Sequence, residues 1–316
     1  MDGYNLGSNI EVTVFDNDNM VCQMRSNDGN GIITSYSVLD GIQINYNDFH
    51  MSSFKSEFIS NTCMFCVDHC KEGRIEQEIK PGVYRYIEAG DLRIDNRYNH
   101  NTDFFFPLSH YHGITIAFNL EKADKSIKNI FPDFPVSVTA LSEKFCNDNK
   151  HYFIRSAPSI EHIFSELYNV PQEIKLYYYK IKILELLLFL SGLEIGESET
   201  IKAYFYKSQI EKVKSIHTLI ISDIQKHYTL EQLSKEFNIS LTGMKNCFKA
   251  IYGDSIFAYL RKYRIDRATM FLRTTDLNIA TIANEVGYNS PSKFAAAFKK
   301  EIGITPLEYR NTRIKR

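Results

Sequence analysis

Three kinds of segment are missing from this 316-residue chain, and each absence narrows its class. No apolar run reaches the roughly 18 residues that a membrane span needs. The closest, residues 181–190, contains Lys182 and Glu185. The N-terminus lacks the basic-then-apolar pattern of a secretion signal, and low-complexity tracts are absent. We therefore expect a cytoplasmic protein without a membrane partner, in which the six cysteines are reduced thiols.

Acidic residues are also scarce in one part of the chain. Residues 210–316 hold 18 Lys and Arg against 10 Asp and Glu, a net charge of +8, whereas residues 1–209 hold 19 against 28, a net charge of −9. The basic part can approach a polyanion such as nucleic acid, and the acidic part is a poor candidate for that role. The length indicates two domains.

The basic part contains one helical pattern twice. Residues 229–252 read TLEQLSKEFNISLTGMKNCFKAIY, and residues 278–302 read NIATIANEVGYNSPSKFAAAFKKEI. After one extra residue in the second turn, Phe248 aligns with Phe298. Each copy predicts a short helix, a tight turn and a longer helix, which is the helix-turn-helix that presents a recognition helix to DNA.

Helical periodicity sorts each predicted recognition helix into two faces. Met244 and Phe248 in the first, and Phe294 and Phe298 in the second, lie on stripes that predict core packing. The other face of each helix is positioned for DNA and carries Thr242, Lys245, Asn246 and Lys249 in the first unit, and Ser292, Lys293, Ala296 and Lys299 in the second.

A long helix is predicted between the units, over residues 255–273. About 18 helical residues at 1.5 Å each give a spacer of roughly 27 Å. One turn of B-DNA is about 34 Å, so the two recognition helices can enter successive major grooves. Arg261 and Arg264 on this spacer are expected to neutralise phosphates, which positions a protein on DNA without reading sequence.

The stretch from about residue 212 to 312 resembles the DNA-binding domain of AraC/XylS-type transcription regulators. Residues 276–310, DLNIATIANEVGYNSPSKFAAAFKKEIGITPLEYR, carry the resemblance together with the first unit and the preceding YRIDRATMFL helix. The resemblance implies a transcription regulator whose partner is promoter DNA, with RNA polymerase as a further candidate partner.

Two positions depart from the family pattern. Family members usually carry Arg or a similar base-reading residue where this chain has Asn246 and Ala296. Asn can pair bidentately with adenine, whereas Ala can at most touch a thymine methyl group. We therefore predict that the second unit reads few bases and works through backbone contacts and DNA shape.

Residues 10 to about 120 predict β-structure. Ile42, Ile44 and Tyr46 alternate along one segment, and turns are expected at Gly73 and Gly90, the latter in a hairpin. Short strands separated by turns indicate a sandwich or barrel. AraC-type regulators often carry a cupin-like, effector-binding barrel here. The resemblance thus implies a small-molecule effector, for which the candidate residues are Tyr84, Tyr86, His100, His110 and His112.

Two clusters in this half resemble metal sites. Cys63, Cys66 and Cys70 share one predicted strand but face opposite sides of it, so we interpret them as buried thiols. His110 and His112 share a face, as in metal-binding cupins, but no carboxylate follows before Glu121. Metal binding therefore stays open beside a pocket or core role, and no metal or cofactor is predicted.

From about residue 159 to 193 the chain predicts helices, and the helix after Gln172 has two apolar seams. One comprises Ile174, Tyr177, Ile181, Leu184 and Leu188, and the other Leu176, Tyr179, Ile183, Leu187 and Leu190. At 100° per residue the seams lie on nearly opposite faces, so both need cover. We predict that the first seam packs on the same helix of a second subunit, as in AraC-type dimers. Burial within one domain is the alternative.

The predicted fold is α+β with two domains. An effector-binding and dimerisation domain covers residues 1–195, β-rich to about 120 and helical from about 159. A linker covers 196–211, and an all-α DNA-binding domain with two helix-turn-helix units joined by a linker helix covers 212–316. We predict a one-component, sequence-specific transcription regulator rather than an enzyme. The alternatives are a cupin-type metal-dependent enzyme and a constitutive DNA-binding protein whose β-domain only dimerises.

Overall fold

A computed structural model describes residues 4–5, 10–14, 19–26, 28–100, 103–147, 151–195 and 204–312. The chain forms two compact units, Met1–Tyr204 and Phe205–Arg316. The division falls inside the linker predicted at residues 196–211, of which residues 196–203 lie outside the described ranges. The N-terminal unit combines strands and helices and the C-terminal unit is largely helical, so the α+β class is confirmed.

The β-structure predicted from residue 10 to about 120 is present. Its strands are β1 (Tyr4–Asn5), β2 (Ile10–Val14), β3 (Asn19–Ser26), β4 (Gly29–Leu39), β5 (Ile42–His50), β6 (Ser53–Lys55), β7 (Phe58–Gly73), β8 (Ile75–Lys80), β9 (Val83–Ile87), β10 (Leu92–His100), β11 (Asp103–Phe105) and β12 (Tyr111–Asn119). A further strand, β13 (Tyr152–Ile154), follows later in the chain.

The larger sheet has the strand order β13-β10-β7-β12-β5-β4-β3-β2, and β1 also pairs with β7. Alternation along β5 shows how the sequence builds its two faces. Ile42 and Ile44 are fully buried on one face, while Gln43, Asn45 and Asn47 alternate with them on the other. The first face packs on helices and the second faces another sheet, so both faces of this strand are covered.

The second sheet has the order β9-β8-β11-β6 within the N-terminal unit. The chain enters it from β7 through Gly73, at φ +86°, and leaves it for β10 through Gly90, at φ +84°. The hairpin predicted at Gly90 is therefore wrong, because β9 and β10 belong to different sheets. A side chain at Gly73 would place its Cβ 2.2 Å from the carbonyl oxygen of His110, so only glycine fits this crossing.

The two sheets pack face to face through Phe49 and Tyr111 from the larger one and Phe54 and Ile75 from the smaller one. They do not close into a barrel. Within the described residues, β2 and β13 end the order of the larger sheet and do not pair with each other. The prediction of a β-rich N-terminal region is confirmed, and the prediction of a cupin-like barrel is not.

Helices cover the outer face of the larger sheet. They are α1 (Ala123–Ile130), α2 (Val138–Phe145), α3 (Pro158–Leu167) and α4 (Lys175–Gly192), the last preceded by a 3-10 turn at Gln172–Ile174. Ile44 and Ile116 of the sheet join Phe164 and Leu187 of the helices in one buried cluster. Each such side chain stabilises the fold by about 1.5–3 kcal/mol. The sequence prediction missed α1 and α2, which are only eight residues long each.

Helix α4 has one buried and one exposed seam, as its double periodicity predicts. Tyr179, Ile183, Leu187 and Leu190 are fully buried, whereas Leu176 at the start of the helix is 40% exposed. In the seam predicted to form a dimer, Leu184 is half-buried and the other side chains are exposed: Ile174 by 47%, Tyr177 by 74%, Ile181 by 62% and Leu188 by 46%.

The C-terminal unit contains β14 (Phe205–Tyr206), α5 (Lys207–Ser222), α6 (Leu230–Glu236), α7 (Leu241–Tyr252), α8 (Ile256–Thr274), α9 (Ile279–Glu285), α10 (Pro291–Ile302) and α11 (Pro306–Thr312). Helices α6 and α7 form the first predicted helix-turn-helix, and α9 and α10 form the second. In the described parts of both units, every helix falls short of the length and apolar character needed to cross a lipid bilayer.

Candidate nucleic-acid interface and a buried cavity

The first helix-turn-helix unit is held by short-range hydrogen bonds that its sequence specifies. The Oγ1 atom of Thr229 accepts from the backbone N–H of Gln232 at 3.1 Å, and Gln232 Oε1 accepts from the N–H of Thr229 at 2.8 Å, which together form a capping box. Ser240 caps α7 by accepting from the backbone N–H of Gly243 at 3.2 Å. Between the helices, Asn238 takes a left-handed conformation at φ +47°.

The second unit repeats this arrangement with different residues. Asn278 caps α9, and Ser290 caps α10 with Pro291 in the first helical turn. The turn contains Gly287 at φ +80°, where an added Cβ would lie 2.4 Å from the carbonyl oxygen of Ile224. Glycine is therefore required here for two reasons, its backbone conformation and the close approach of another segment.

The predicted sorting of the recognition helices into faces is confirmed. Met244 and Phe248 of α7, and Phe294 and Phe298 of α10, are fully buried. The side chains assigned to DNA are exposed in both helices: Thr242, Lys245, Asn246 and Lys249 in α7, and Ser292, Lys293, Ala296 and Lys299 in α10. Each unit therefore presents a free polar surface on the helix that a helix-turn-helix inserts into the major groove.

Helix α8 corrects one of the predicted phosphate contacts. Arg261 is exposed, with Nε 3.6 Å from Glu301 Oε1, but Arg264 is only 8% exposed. The guanidinium group of Arg264 donates through Nε and Nη2 to the carbonyl oxygen of Ile224, at 2.9 Å for Nε. It also lies 3.0 Å from where a Cβ of Gly287 would be, so it fixes α8 to the second turn.

The sequence of α8 contains a pattern that marks Arg264 as an inward-facing residue. Residues at every fourth position are buried: Ile256, Leu260, Arg264, Ala268 and Leu272. The prediction of Arg264 as a surface cation is wrong, because its helical position faces inward. A buried guanidinium group needs acceptors, and the carbonyl of Ile224 supplies one.

The first unit packs on a half-buried histidine. The ring of His217 in α5 stacks on Tyr252 of α7, with centroids 4.2 Å apart, and its Nε2 lies 2.9 Å from the hydroxyl of Tyr259 in α8. Removal from water lowers the pKa of His217 to about 4, so the ring is neutral near pH 7. His217 thus joins α5, α7 and α8 without introducing charge.

A cavity of about 210 Å³ lies between the two sheets of the N-terminal unit. Much of its lining is apolar and comes from both sheets: Ile10, Met20, Met24, Ile33, Phe49, Phe54, Met64, Ile75, Phe104, Phe106 and Tyr111. Polar side chains line the rest, among them Gln43, Asn45, Asn47, Asp68, Arg93, Arg97 and Thr115. A compact small molecule with both apolar and polar groups suits such a lining.

The charged part of this lining is a network of buried ion pairs. Arg93 Nη2 lies 2.7 Å from Asp68 Oδ2, Arg97 Nε lies 2.8 Å from Asp95 Oδ1, and Arg97 also pairs with Asp68. Thr115 donates its hydroxyl to Asp68 at 2.6 Å. Burial alone would raise the pKa of both carboxyl groups, but the two arginines outweigh it and hold each pKa below its usual range. The network is formally neutral and remains paired at pH 7.

The structure does not bring the predicted effector residues to this cavity. Tyr84 and Tyr86 lie on β9 in the second sheet, where Tyr86 donates to Glu76 at 2.6 Å, and neither lines the cavity. His110 sits beside the carbonyl of Leu108, and the side chain of His100 lies outside the described residues.

His112 is also absent from the cavity lining, because it belongs to the helix-covered face of the larger sheet. The prediction took polar residues at strand ends as pocket residues. The actual lining is the alternate face of β5, whose polar positions, Gln43, Asn45 and Asn47, look solvent-facing in the sequence.

The cysteines behave as the strand alternation predicts. None of the six forms a disulfide, and Cys66 lines the cavity while Cys63 belongs to the other side of β7. Burial raises the pKa of the Cys66 thiol to about 12 and that of Cys22 to about 11. Such thiols are protonated and poor metal ligands near neutral pH.

Comparison with known proteins identifies the C-terminal unit. A family model described as a helix-turn-helix domain matches residues 233–312. The transcriptional activator RhaR of Mannheimia succiniciproducens is 31% identical over 115 residues, which are 36% of this chain and 41% of that protein. A protein of Streptomyces lividans described as an AraC-like transcription regulator is 33% identical over 93 residues, 29% of this chain and 31% of its own length.

Among solved structures, the C-terminal domain of AraT, a response regulator from Geobacillus stearothermophilus, is 33% identical, with a TM-score of 0.31. The match covers 32% of this chain and 85% of that one. The chain thus spans less than half of the two full-length relatives, and these are transcription regulators rather than enzymes. Residues 233–312 therefore match a helix-turn-helix domain of the kind found in AraC-like transcription regulators.

Proposed function

We propose that the protein is a one-component transcription regulator that binds promoter DNA through its C-terminal unit. The observation that carries this proposal is the pair of helix-turn-helix units whose recognition helices leave Lys245, Asn246, Lys293 and Lys299 exposed. They lie in a region with a net charge of +8. A duplex attracts such a surface by releasing its condensed counterions. The site of action would then be the cytoplasm.

The test begins with crosslinking of the tagged protein to DNA in cells, which yields a duplex to work with. Binding of the full chain to that duplex is then measured by fluorescence anisotropy over a range of salt concentrations. Log affinity should fall linearly with log salt, and each lost phosphate contact should reduce the slope by about 0.9. Lys245→Ala and Lys293→Ala are expected to lower the slope. Lys128→Ala, which removes an exposed lysine of α1, is the matched control.

Two results would contradict this proposal. One is a folded chain that fails to bind any crosslinked duplex even in dilute buffer. The other is a wild-type salt slope unchanged by both recognition-helix variants.

We further propose that the cavity of the N-terminal unit receives a small-molecule effector in a cupin-like role. Its support is the mostly apolar lining, which also includes the polar side chains of Arg93, Arg97 and Asn47. Because both arginines are already paired with carboxylates, the effector need not be an anion. An effector can shift DNA affinity only if it binds the DNA-competent arrangement more tightly than the other.

A ligand that binds the native state raises its melting temperature, so a metabolite library screened by thermal shift can find it. Asn47→Leu and Ala117→Phe both alter the cavity wall and should abolish the shift. Glu121→Gln at an exposed position outside the cavity should not. A constitutive DNA-binding protein would give no ligand that changes both melting temperature and DNA affinity.

The exposed seam of α4 supports a homodimer. Ile174, Tyr177, Ile181 and Leu188 form a continuous apolar stripe on a helix whose opposite face is buried. A second copy of α4 is self-complementary to such a stripe about a two-fold axis. Sedimentation of the full chain should show a dimer, and Ile181→Glu should produce monomers. Lys128→Glu is the control for added negative charge, and a wild-type monomer at micromolar concentration would contradict the dimer.

A further inference from the structure

Three potential metal ligands converge on the larger sheet, outside the cavity. Asp48 and His50 lie two residues apart on β5, and His112 lies directly opposite Asp48 on β12. Side chains two apart on a strand, and side chains of paired residues on adjacent strands, point to the same face. This is the face that bears Ile42 and Ile44, and the three residues continue it past Tyr46.

The distances between their donor atoms match those of a coordination shell. Asp48 Oδ1 lies 2.9 Å from His50 Nε2 and 3.5 Å from His112 Nε2. One ligand atom from each residue lies within 4.8 Å of the others. With metal–ligand bonds of about 2.0–2.1 Å, donor atoms lie about 3.3 Å apart in a tetrahedral site and about 2.9 Å apart in an octahedral one. The donors can therefore share a cation without movement of either strand.

The hydrogen bonding of the carboxylate points to the same conclusion. Asp48 Oδ1 is shielded from solvent, and among the described residues it has no hydrogen-bond partner. His50 Nε2 is close enough at 2.9 Å but is not aimed at the oxygen. In a coordination shell the lone pairs point at a shared centre, not at one another, so this short, indirect approach is expected there. A shielded polar atom without a partner destabilises the fold unless something binds it.

We propose that Asp48, His50 and His112 form a binding site for a divalent transition-metal ion. Two imidazoles and one carboxylate suit Zn²⁺, Ni²⁺, Cu²⁺ or Fe²⁺, whereas Mg²⁺ and Ca²⁺ prefer oxygen ligands. The protein supplies three ligands, so the remaining positions of the ion are open to water or to an exogenous ligand. The side chains are partly exposed, by 48%, 59% and 32% in chain order, so an ion can enter from solvent.

The position of the site explains why the sequence pattern failed to reveal it. Downstream of His112 no carboxylate occurs before Glu121. The carboxylate comes instead from β5, about sixty residues upstream, through the pairing of Asp48 with His112. On the same strand Asn47 and Phe49 face the cavity, so an ion at this site would hold the β5–β12 pair beside the cavity wall.

The test uses the tag-free full chain, freed of metal by a chelator, and titrates it with Co²⁺ and then with Zn²⁺. One Co²⁺ per chain should give visible absorption without a thiolate charge-transfer band, and Zn²⁺ should displace it. Loss of an outer-shell partner typically costs 10–100-fold in affinity, so His50→Asn, His112→Asn and Asp48→Asn should each weaken binding at least about 100-fold. Zn²⁺ should also raise the melting temperature of the wild type but not of these variants.

His110→Asn is the matched control, because it removes a histidine two residues away whose Nδ1 faces the carbonyl of Leu108 instead. Circular dichroism confirms that each variant is folded. Binding of Zn²⁺ by His112→Asn as tightly as by the wild type would overturn the proposal. So would a folded wild type that takes up neither ion, which would leave these residues as ordinary ion pairs. Neither result bears on DNA binding, so the proposed function stands or falls separately.

Discussion

In the first helix-turn-helix unit the turn is made by an exposed Asn238 at φ +47°, and in the second by a buried Gly287 at φ +80°. The second is clamped between the carbonyl of Ile224 and the guanidinium group of Arg264. The two repeats therefore share a backbone plan but differ in how tightly their surroundings constrain it.

The groups that fix each unit also differ in charge. The first rests on His217, a ring kept neutral by burial, and the second on Arg264, which remains charged at any accessible pH. The exposed faces of the two recognition helices also differ. The first unit exposes Asn246, and the second exposes Ala296 at the matching position. We therefore predict that the first unit reads the base sequence and that the second mainly holds the DNA backbone.

The largest expected effect separates the two turns. Gly287→Ala should destabilise the second unit by about 2–4 kcal/mol, because it adds a steric clash to the cost of a left-handed alanine. Asn238→Ala carries only the conformational cost, about 1 kcal/mol. Hydrogen exchange measured by mass spectrometry reports each unit separately, with lost protection expected in α9 and α10 for Gly287→Ala. Equal effects of the two variants would show that the clamp on Gly287 is unimportant.

The next effect concerns base reading. Asn246→Ala should weaken binding to the crosslinked duplex by about 1–3 kcal/mol if this side chain pairs with adenine. Ala296→Ser at the matching position should change affinity less than about twofold. Anisotropy at one fixed salt concentration measures both, and a scrambled duplex serves as the control on which neither variant should differ from wild type. Similar losses in the two variants would remove the asymmetry between the units.

Acid should weaken the first unit more than the second. The folded pKa of His217 is about 4, below its value of about 6.5 in an unfolded chain. The unfolded chain thus binds more protons in this window, and stability is lost as pH falls from about 6.5 to 4. The ring is partly exposed, so the loss should be about 1 kcal/mol rather than the full shift. His217→Gln should flatten the dependence, measured as the melting temperature at pH 7 minus that at pH 5. Burial also lowers the pKa of His69 to about 4, but His69 is present in wild type and variant alike. An identical difference in melting temperature for the two proteins would therefore contradict the role of His217.

The smallest expected effect on affinity comes from changes in the DNA sequence that faces the second unit. Permuting the base pairs that face α10 should cost less than about 1 kcal/mol, because the second unit contacts the backbone and DNA shape. Permuting those that face α7 should cost more, at about 1–3 kcal/mol for each base pair. Losses of several kcal/mol in the half-site of the second unit would refute the predicted division of labour.

The C-terminal unit could be read from its sequence because its determinants are local. The cap at Thr229 uses a partner three residues away, and Met244 and Phe248 share a helical stripe. Arg264 was misplaced although its stripe is visible, since a charged residue in a basic region suggests a surface contact. Only the carbonyl of Ile224, forty residues upstream, makes its burial favourable.

The N-terminal unit was read less completely because its determinants are distant in the chain. Strands could be located from alternation, but not the sheet to which each belongs. The ion-pair network joins Asp68 of β7 to Arg93 and Arg97 of the neighbouring strand β10, and no pattern in the sequence marks this pairing. The polar face of β5 also looks solvent-exposed in the sequence, because alternating polar and apolar residues are typical of a strand with one face in water. In the structure, helices cover the apolar face of β5 and the second sheet covers its polar face.

Helix α8, a single element of 19 residues, has a bearing on how this domain can evolve. Each residue inserted in an α-helix turns everything beyond it by about 100° and advances it by 1.5 Å. One extra residue in α8 would thus turn α10 by about 100° relative to α7, away from the successive major grooves that the two helices are proposed to enter. Seven extra residues would nearly restore the phase, but would displace α10 by about 10 Å along the duplex. The length of α8 consequently fixes the rotation of α10 relative to α7. Substitutions in this helix can therefore be tolerated where small insertions cannot.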